Sequence, residues 1–192
     1  MTNKNLKKAE KTLYTKNFEK VVEVSLREFA ITSSLDSKPI LATYGIGPCV
    51  SFSGWSPRHK IGFMTHYDAR TRMADSFGNL LSNLSEILQG ESTQFKVRII
   101  GGYAISESYN IISFLESRLG SRKDLAMTLV EKDIFGDRVE SKSVALDTKT
   151  GRVYLYDPKL NPQKRELNQF HMEMLTMFDS SAKLIYKPGG IK

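Results

Sequence analysis

Ile40-Leu41-Ala42-Thr43-Tyr44-Gly45-Ile46-Gly47-Pro48-Cys49-Val50-Ser51-Phe52-Ser53, followed by Lys60-Ile61-Gly62-Phe63-Met64-Thr65-His66, decides how this chain folds. Residues 40–44 are apolar and rich in strand formers, and they end in a pair of glycines. Residues 50–53 resume as a strand after the cysteine, and residues 60–66 form the next one. Gly54-Trp55-Ser56-Pro57 between them reads as a turn. Val50 and Phe52 on one side and Ile61 and Phe63 on the other predict an antiparallel hairpin. That hairpin folds the chain back and carries His66 towards Cys49.

Outward from this centre, residues 1–20 read as a helical or frayed basic tail and residues 21–26 as a short β-branched strand. Leu80, Leu81, Leu84, Ile87 and Leu88 recur at helical spacing, which predicts a helix over 75–89 stopped by Gly90. A strand over 95–100 ends at Gly101-Gly102. A second helix is expected over 107–119, with Ser106 as its N-cap and Gly120 as its stop. A strand over 125–130 follows. Residues 143–146 and 153–156 then flank a hairpin turn, Asp147-Thr148-Lys149-Thr150-Gly151. Leu167, Phe170, His171, Met174, Met177 and Phe178 outline a last amphipathic helix, whose Met172, Met174 and Met177 form a possible adaptable face. Many strands with two central helices predict an α/β layered sandwich with mixed, largely antiparallel sheets.

The 192 residues suit one domain with a sizeable core. Apolar residues make up 40% and charged ones 26%, the balance of a globular protein. One cysteine excludes an internal disulfide and fits a reducing compartment. No membrane span and no secretory signal are evident, so a cytoplasmic location is expected. The net charge of +7 comes largely from tail lysines and scattered loop residues, without interleaved stacking aromatics. It therefore points to an acidic partner surface rather than to nucleic acid. There is no CxxC, HExxH, Walker or dinucleotide pattern, and no metal or cofactor is expected.

The chemistry sits in Cys49 and His66. A thiolate attacks carbonyls well, and a nearby imidazole can take the thiol proton and return it to a leaving amine. Gly45, Gly47 and the Cys49 N–H are candidates for an oxyanion site on a turn where the backbone can approach closely. A third polar group usually orients the imidazole, and Thr43, Thr65 and Asp68 all qualify. Taken alone, a lone cysteine is more often a small buried hydrophobe. His59 and His171 read as structural.

Thr43 lies six residues before Cys49 (49 − 43), and His66 seventeen after it (66 − 49). This spacing resembles the chemoreceptor glutamine deamidase family, CheD, whose pattern is T-x-G-x-G-S-C-V and then D-P-x-x-x-x-G-x-x-x-H. The matching segments are Thr43 to Val50 and Ser56 to His66. Lys96 to Gly102 is similar to the family's K-x-x-G-G-A strand and turn, Asn110 to its helix-opening asparagine, and 131–153 to its closing hairpin. The resemblance implies an α-β-β-α sandwich, no cofactor, and a Cys49–His66–Thr43 triad that hydrolyses protein glutamine side chains. It also implies substrate contacts near Gly101, Gly102, Tyr67 and Asp68, and a protein substrate such as chemoreceptor helices. The chain would divide into a tail over 1–21, a CheD-like domain over 22–157 and an extension over 158–192. It departs from the pattern at Pro48, where serine is usual, at the polar segment Tyr67-Asp68-Ala69-Arg70, and at Tyr103, where a small residue is usual. Pro48 and the polar segment favour an alternative, a CheD-like binding module engaging a signalling protein. The same catalytic layout is similar to that of bacterial toxins that deamidate host proteins, and a Cys–His–Thr triad by itself also fits a related reaction such as transglutamination or proteolysis.

Overall fold

The computed structural model describes residues 12–162, 175 and 177–188. Its ten strands are β1 (Val21–Val24), β2 (Glu28–Ser33), β3 (Ile40–Ile46), β4 (Val50–Ser56), β5 (Ile61–His66), β6 (Thr93–Gly101), β7 (Leu125–Asp133), β8 (Lys142–Asp147), β9 (Val153–Leu155) and β10 (Lys183–Tyr186). Among the described residues, its two long helices are α1 (Met73–Ile87) and α2 (Ser106–Arg118), and short 3-10 turns lie at Phe18–Lys20 and Pro158–Leu160. The strands form a six-stranded sheet in the order β10-β2-β5-β4-β6-β7 and a four-stranded sheet in the order β1-β3-β8-β9. β1–β3, β10–β2 and β6–β7 pair parallel, and the other neighbours pair antiparallel.

Side-chain alternation along these strands builds two cores. On the outer face of the large sheet, Phe29, Ile31, Val50, Phe52, Ile61, Phe63 and Tyr67 pack under the apolar stripes of α1 and α2. Phe63 anchors this layer, with ring centroids 5.2 Å from Phe52 and 5.5 Å from Phe95, at tilted and edge-on angles that suit aromatic quadrupoles. On the inner face, Ala30, Met64, Trp55 and Ile100 meet Val22, Val24, Leu41, Val144 and Leu146 of the small sheet.

The mixed α/β sandwich of two sheets matches the expectation from the sequence, and its described residues show where the helices and aromatics lie on it. Both helices lie on the same face of the six-stranded sheet, as the Phe77–Phe114 ring contact at 6.0 Å shows. Among the described residues, the outer face of the four-stranded sheet is covered by aromatics, not by a helix. Phe18 packs there on Tyr156, Tyr14 packs on Phe18 and Tyr154, and Tyr44 lies against the same cluster. The helix expected around 167–178 falls largely outside the described residues.

Three local differences have physical causes. Gly54-Trp55-Ser56 belongs to β4, and the turn lies at 57–60, with Lys60 in left-handed backbone (φ 53°). Gly54 is needed inside the strand because a Cβ there would sit 2.3 Å from the Phe63 ring. Ser106 is the first residue of α2 rather than its cap; its hydroxyl donates to Glu107, and Ile105 precedes it in extended backbone. β2 and β10 have no counterpart in the sequence reading. β2 is buried at every position and so lacks alternation, while β10 has only four residues.

Candidate active site

The β3–β4 connection and the β4–β5 hairpin bring the candidate residues to one end of the sandwich. Thr43 pairs with Val24 and Val144, inner-core residues on either side, so its side chain points between the sheets. His66 shares a face with Met64, which also points between the sheets. The two meet there: Thr43 Oγ1 lies 2.9 Å from His66 Nδ1, and both side chains are buried. The Val50–Tyr67 bridge at the mouth of the hairpin puts Cys49 beside Asp68 and Ser51 beside His66. Cys49 is therefore a diagonal neighbour of His66 on the inner face, the separation that long side chains span. His66 Nε2 is buried and has no hydrogen-bond partner among the described residues, so no hydrogen bond joins the imidazole to the thiol.

The turn that carries Cys49 is held from behind by Gly101-Gly102. The Gly102 N–H donates to the carbonyls of Gly47 (3.0 Å) and Cys49 (2.9 Å). Gly101 has φ 107°, and a Cβ on it would sit 2.3 Å from the Cys49 carbonyl oxygen. Only glycine permits that approach. Ser108 of α2 adds a second tie, since its hydroxyl donates to the Pro48 carbonyl at 2.7 Å and accepts from the Tyr103 N–H at 3.2 Å. The Tyr103 ring occupies the space a side chain at Gly47 would need, and its hydroxyl donates to the Glu140 carbonyl.

Cys49 is half-buried and opens into a cleft of about 490 Å³ lined by Leu26, Arg27, Pro48, Asp68, Arg70, Ile105, Glu107 and Leu175, among others. Burial pushes the thiol up to about 11; the Asp68 carboxylate adds to the rise, while the Arg27 guanidinium and the residue's own backbone N–H oppose it. Burial also lowers His66 to about 4, partly offset by Asp68. At neutral pH the site therefore holds a neutral thiol and a neutral imidazole.

Two expected site residues are placed otherwise. Tyr67 is fully buried under the helices, because it alternates with His66 and faces the opposite side of the sheet, so it does not line the cleft. The Gly45 N–H donates to Ser143 Oγ at 3.2 Å, since β3 runs beside β8 there, and so is engaged rather than open to an oxyanion. Asp68 does line the cleft. Arg27, Ser108 and Ser143 had no signal in the sequence, because each reaches the site across more than thirty residues of chain or from another element. Among the described residues, no group of three His, Cys, Asp or Glu side chains is placed to hold a metal ion. No described helix is long and apolar enough to cross a membrane.

No family model matches the chain. Over 150 residues it is 23% identical to a probable chemoreceptor glutamine deamidase CheD of Syntrophus aciditrophicus (strain SB), covering 70% of this chain and 92% of that protein. Over 148 residues it is 25% identical to an uncharacterized protein of Acanthamoeba polyphaga mimivirus, covering 67% of this chain. The chain spans about half the length of that viral relative (54%). The likeness to CheD is distant and runs over most of the chain.

Proposed function

We propose that this protein is a cysteine-dependent protein-glutamine deamidase. The observation that supports it most is the Thr43–His66 bond at 2.9 Å, with the other ring nitrogen unpartnered and Cys49 diagonal to the imidazole across the hairpin. In the tautomer whose Nδ1–H donates to Thr43 Oγ1, the Nε2 lone pair is left to act as a base. A glutamine side chain entering the cleft presents its amide carbon to Sγ. His66 Nε2 takes the thiol proton as sulfur bonds to that carbon, giving a tetrahedral oxyanion near the Cys49 N–H. The imidazolium then protonates the departing nitrogen, and ammonia leaves a thioester on Cys49. Water attacks the thioester with His66 again accepting the proton, and the products are glutamate and the free thiol. Closure of the His66–Cys49 contact accompanies substrate binding, as apo sites commonly have looser geometry than the reacting complex.

A second reading, a CheD-like binding module, draws support from the thiol raised to about 11 and from Pro48, which has no N–H to offer beside the nucleophile. Incubation with a chemoreceptor cytoplasmic domain separates the two. A deamidase releases ammonia and adds one dalton per modified glutamine, and Cys49→Ala abolishes both. Stable binding of that domain with no mass change would favour the module, and a mass gain that persists in Cys49→Ala would overturn the proposed chemistry.

A further inference from the structure

Arg27 is 3% exposed, precedes β2, and holds a left-handed backbone (φ 53°) that is uncommon for a residue with a side chain. Its backbone is fixed at both ends: its N–H donates to the His66 carbonyl (2.8 Å), and its carbonyl accepts from the Lys183 N–H (2.8 Å). A guanidinium has five N–H donors. Here Nε donates to Asp68 at 2.9 and 3.0 Å, Nη2 to Asp68 at 2.9 Å and to the Leu175 carbonyl, and Nη1 to the Phe178 carbonyl at 2.5 Å and to Ser180 Oγ at 3.3 Å. Every donor is occupied, so none is left to grip a substrate carbonyl or carboxylate. Two of the groups it holds, Asp68 and Leu175, line the cleft with Cys49. Thr71 and Ser180 lie paired alongside, with N–H···O bonds of 3.0 Å from Arg72 to Ser180 and 3.2 Å from Ser180 to Arg70.

We propose that Arg27 is a positioning residue that clamps Leu175, Phe178 and Ser180 against the Asp68 turn, so that Leu175 forms part of the wall of the Cys49 cleft and limits what reaches the thiol. The inference rests on the reading of Cys49 as the nucleophile, but it makes a demand on access that holds whether or not the protein deamidates. The arrangement is specific to arginine, because a lysine has three donors and no planar fork to span one carboxylate and two carbonyls.

Cys49 is the only cysteine, so alkylation of the full-length chain reports on this cleft alone. The ratio of its reaction rates with iodoacetamide and with a bulky fluorescein maleimide measures how strongly the wall discriminates by size. Arg27→Met should lower that ratio about tenfold or more, with Arg27→Lys lying between it and wild type. Leu175→Ala, which trims the wall and leaves the ion pair in place, should lower it in the same direction and decides the matter should Arg27→Met fail to fold. An unchanged ratio in a folded Arg27→Met protein, or in Leu175→Ala where the arginine variant does not fold, would overturn the proposal. Deamidase activity does not enter this test, so a failure here is distinct from a failure of the proposed function.

Discussion

The two faces of the β4–β5 hairpin are built from the same residues in alternation, yet they do different work. The face under the helices carries Val50, Phe52, Ile61, Phe63 and Tyr67, all fully buried in a continuous apolar layer. The inner face carries Ser51, Ser53, Met64 and His66, and at the open end of the hairpin it gives onto Cys49 and Asp68. One face gains its stability from burial and aromatic packing. The other buries polar and titratable groups, which costs stability unless they are hydrogen-bonded. Rigidity on the first face holds the second in register.

Breaking the helix-side face has the largest expected effect. Phe63→Ala removes a fully buried ring from the centre of the layer and should cost about 3–5 kcal/mol in urea unfolding. Because the loss lies on the structural face, Cys49 reactivity in the fraction that remains folded should change little.

The inner face is sharpened by pH. His66 stays neutral in the folded protein until about pH 4, whereas the unfolded imidazole protonates near 6.5. Between these values the unfolded state binds more protons, so stability falls as the pH drops from 6.5 towards 4 and is unaffected by this group above that window. The loss should approach about 3 kcal/mol. His66→Gln should flatten the profile over that interval, as read by denaturant titrations at a series of pH values. Identical profiles in the two proteins would mean that His66 is not buried in neutral form.

A smaller effect is expected from Thr43→Val, which keeps the shape and removes the bond to His66 Nδ1. Stability should fall by about 1 kcal/mol, and turnover on a glutamine-containing protein substrate by roughly tenfold or more. A turnover loss no larger than the stability loss would make Thr43 a packing residue.

The hairpin was legible because period-two alternation folds β5 back on β4, which put His66 near Cys49. The residues alone left Thr43, Thr65 and Asp68 open as the imidazole's partner, and only the resemblance to CheD singled out Thr43, whose Oγ1 lies 2.9 Å from His66 Nδ1. Which face of a sheet each helix covers was not legible. The helical stripes of α1 and α2 show that each has an apolar face but not which side of a sheet receives it, and Tyr14 and Phe18 cover the small sheet through contacts that no local pattern encodes. Tyr67 was misplaced because it adjoins His66 in sequence, whereas adjacency in a strand means opposite faces. Arg27 was invisible for a different reason: its partners come from residues 68 and 175–180, far along the chain.

The most direct measurement is the rate of Cys49 alkylation by iodoacetamide across pH in wild type and His66→Gln. A thiol near 11 supplies a thiolate fraction on the order of 10⁻⁴ at pH 7. If His66 accepts the Cys49 proton, the wild type should react at neutral pH at least about tenfold faster than His66→Gln, and the advantage should fade as the pH falls towards 4. Equal rates in the two proteins across the whole range would contradict a working Cys49–His66 pair.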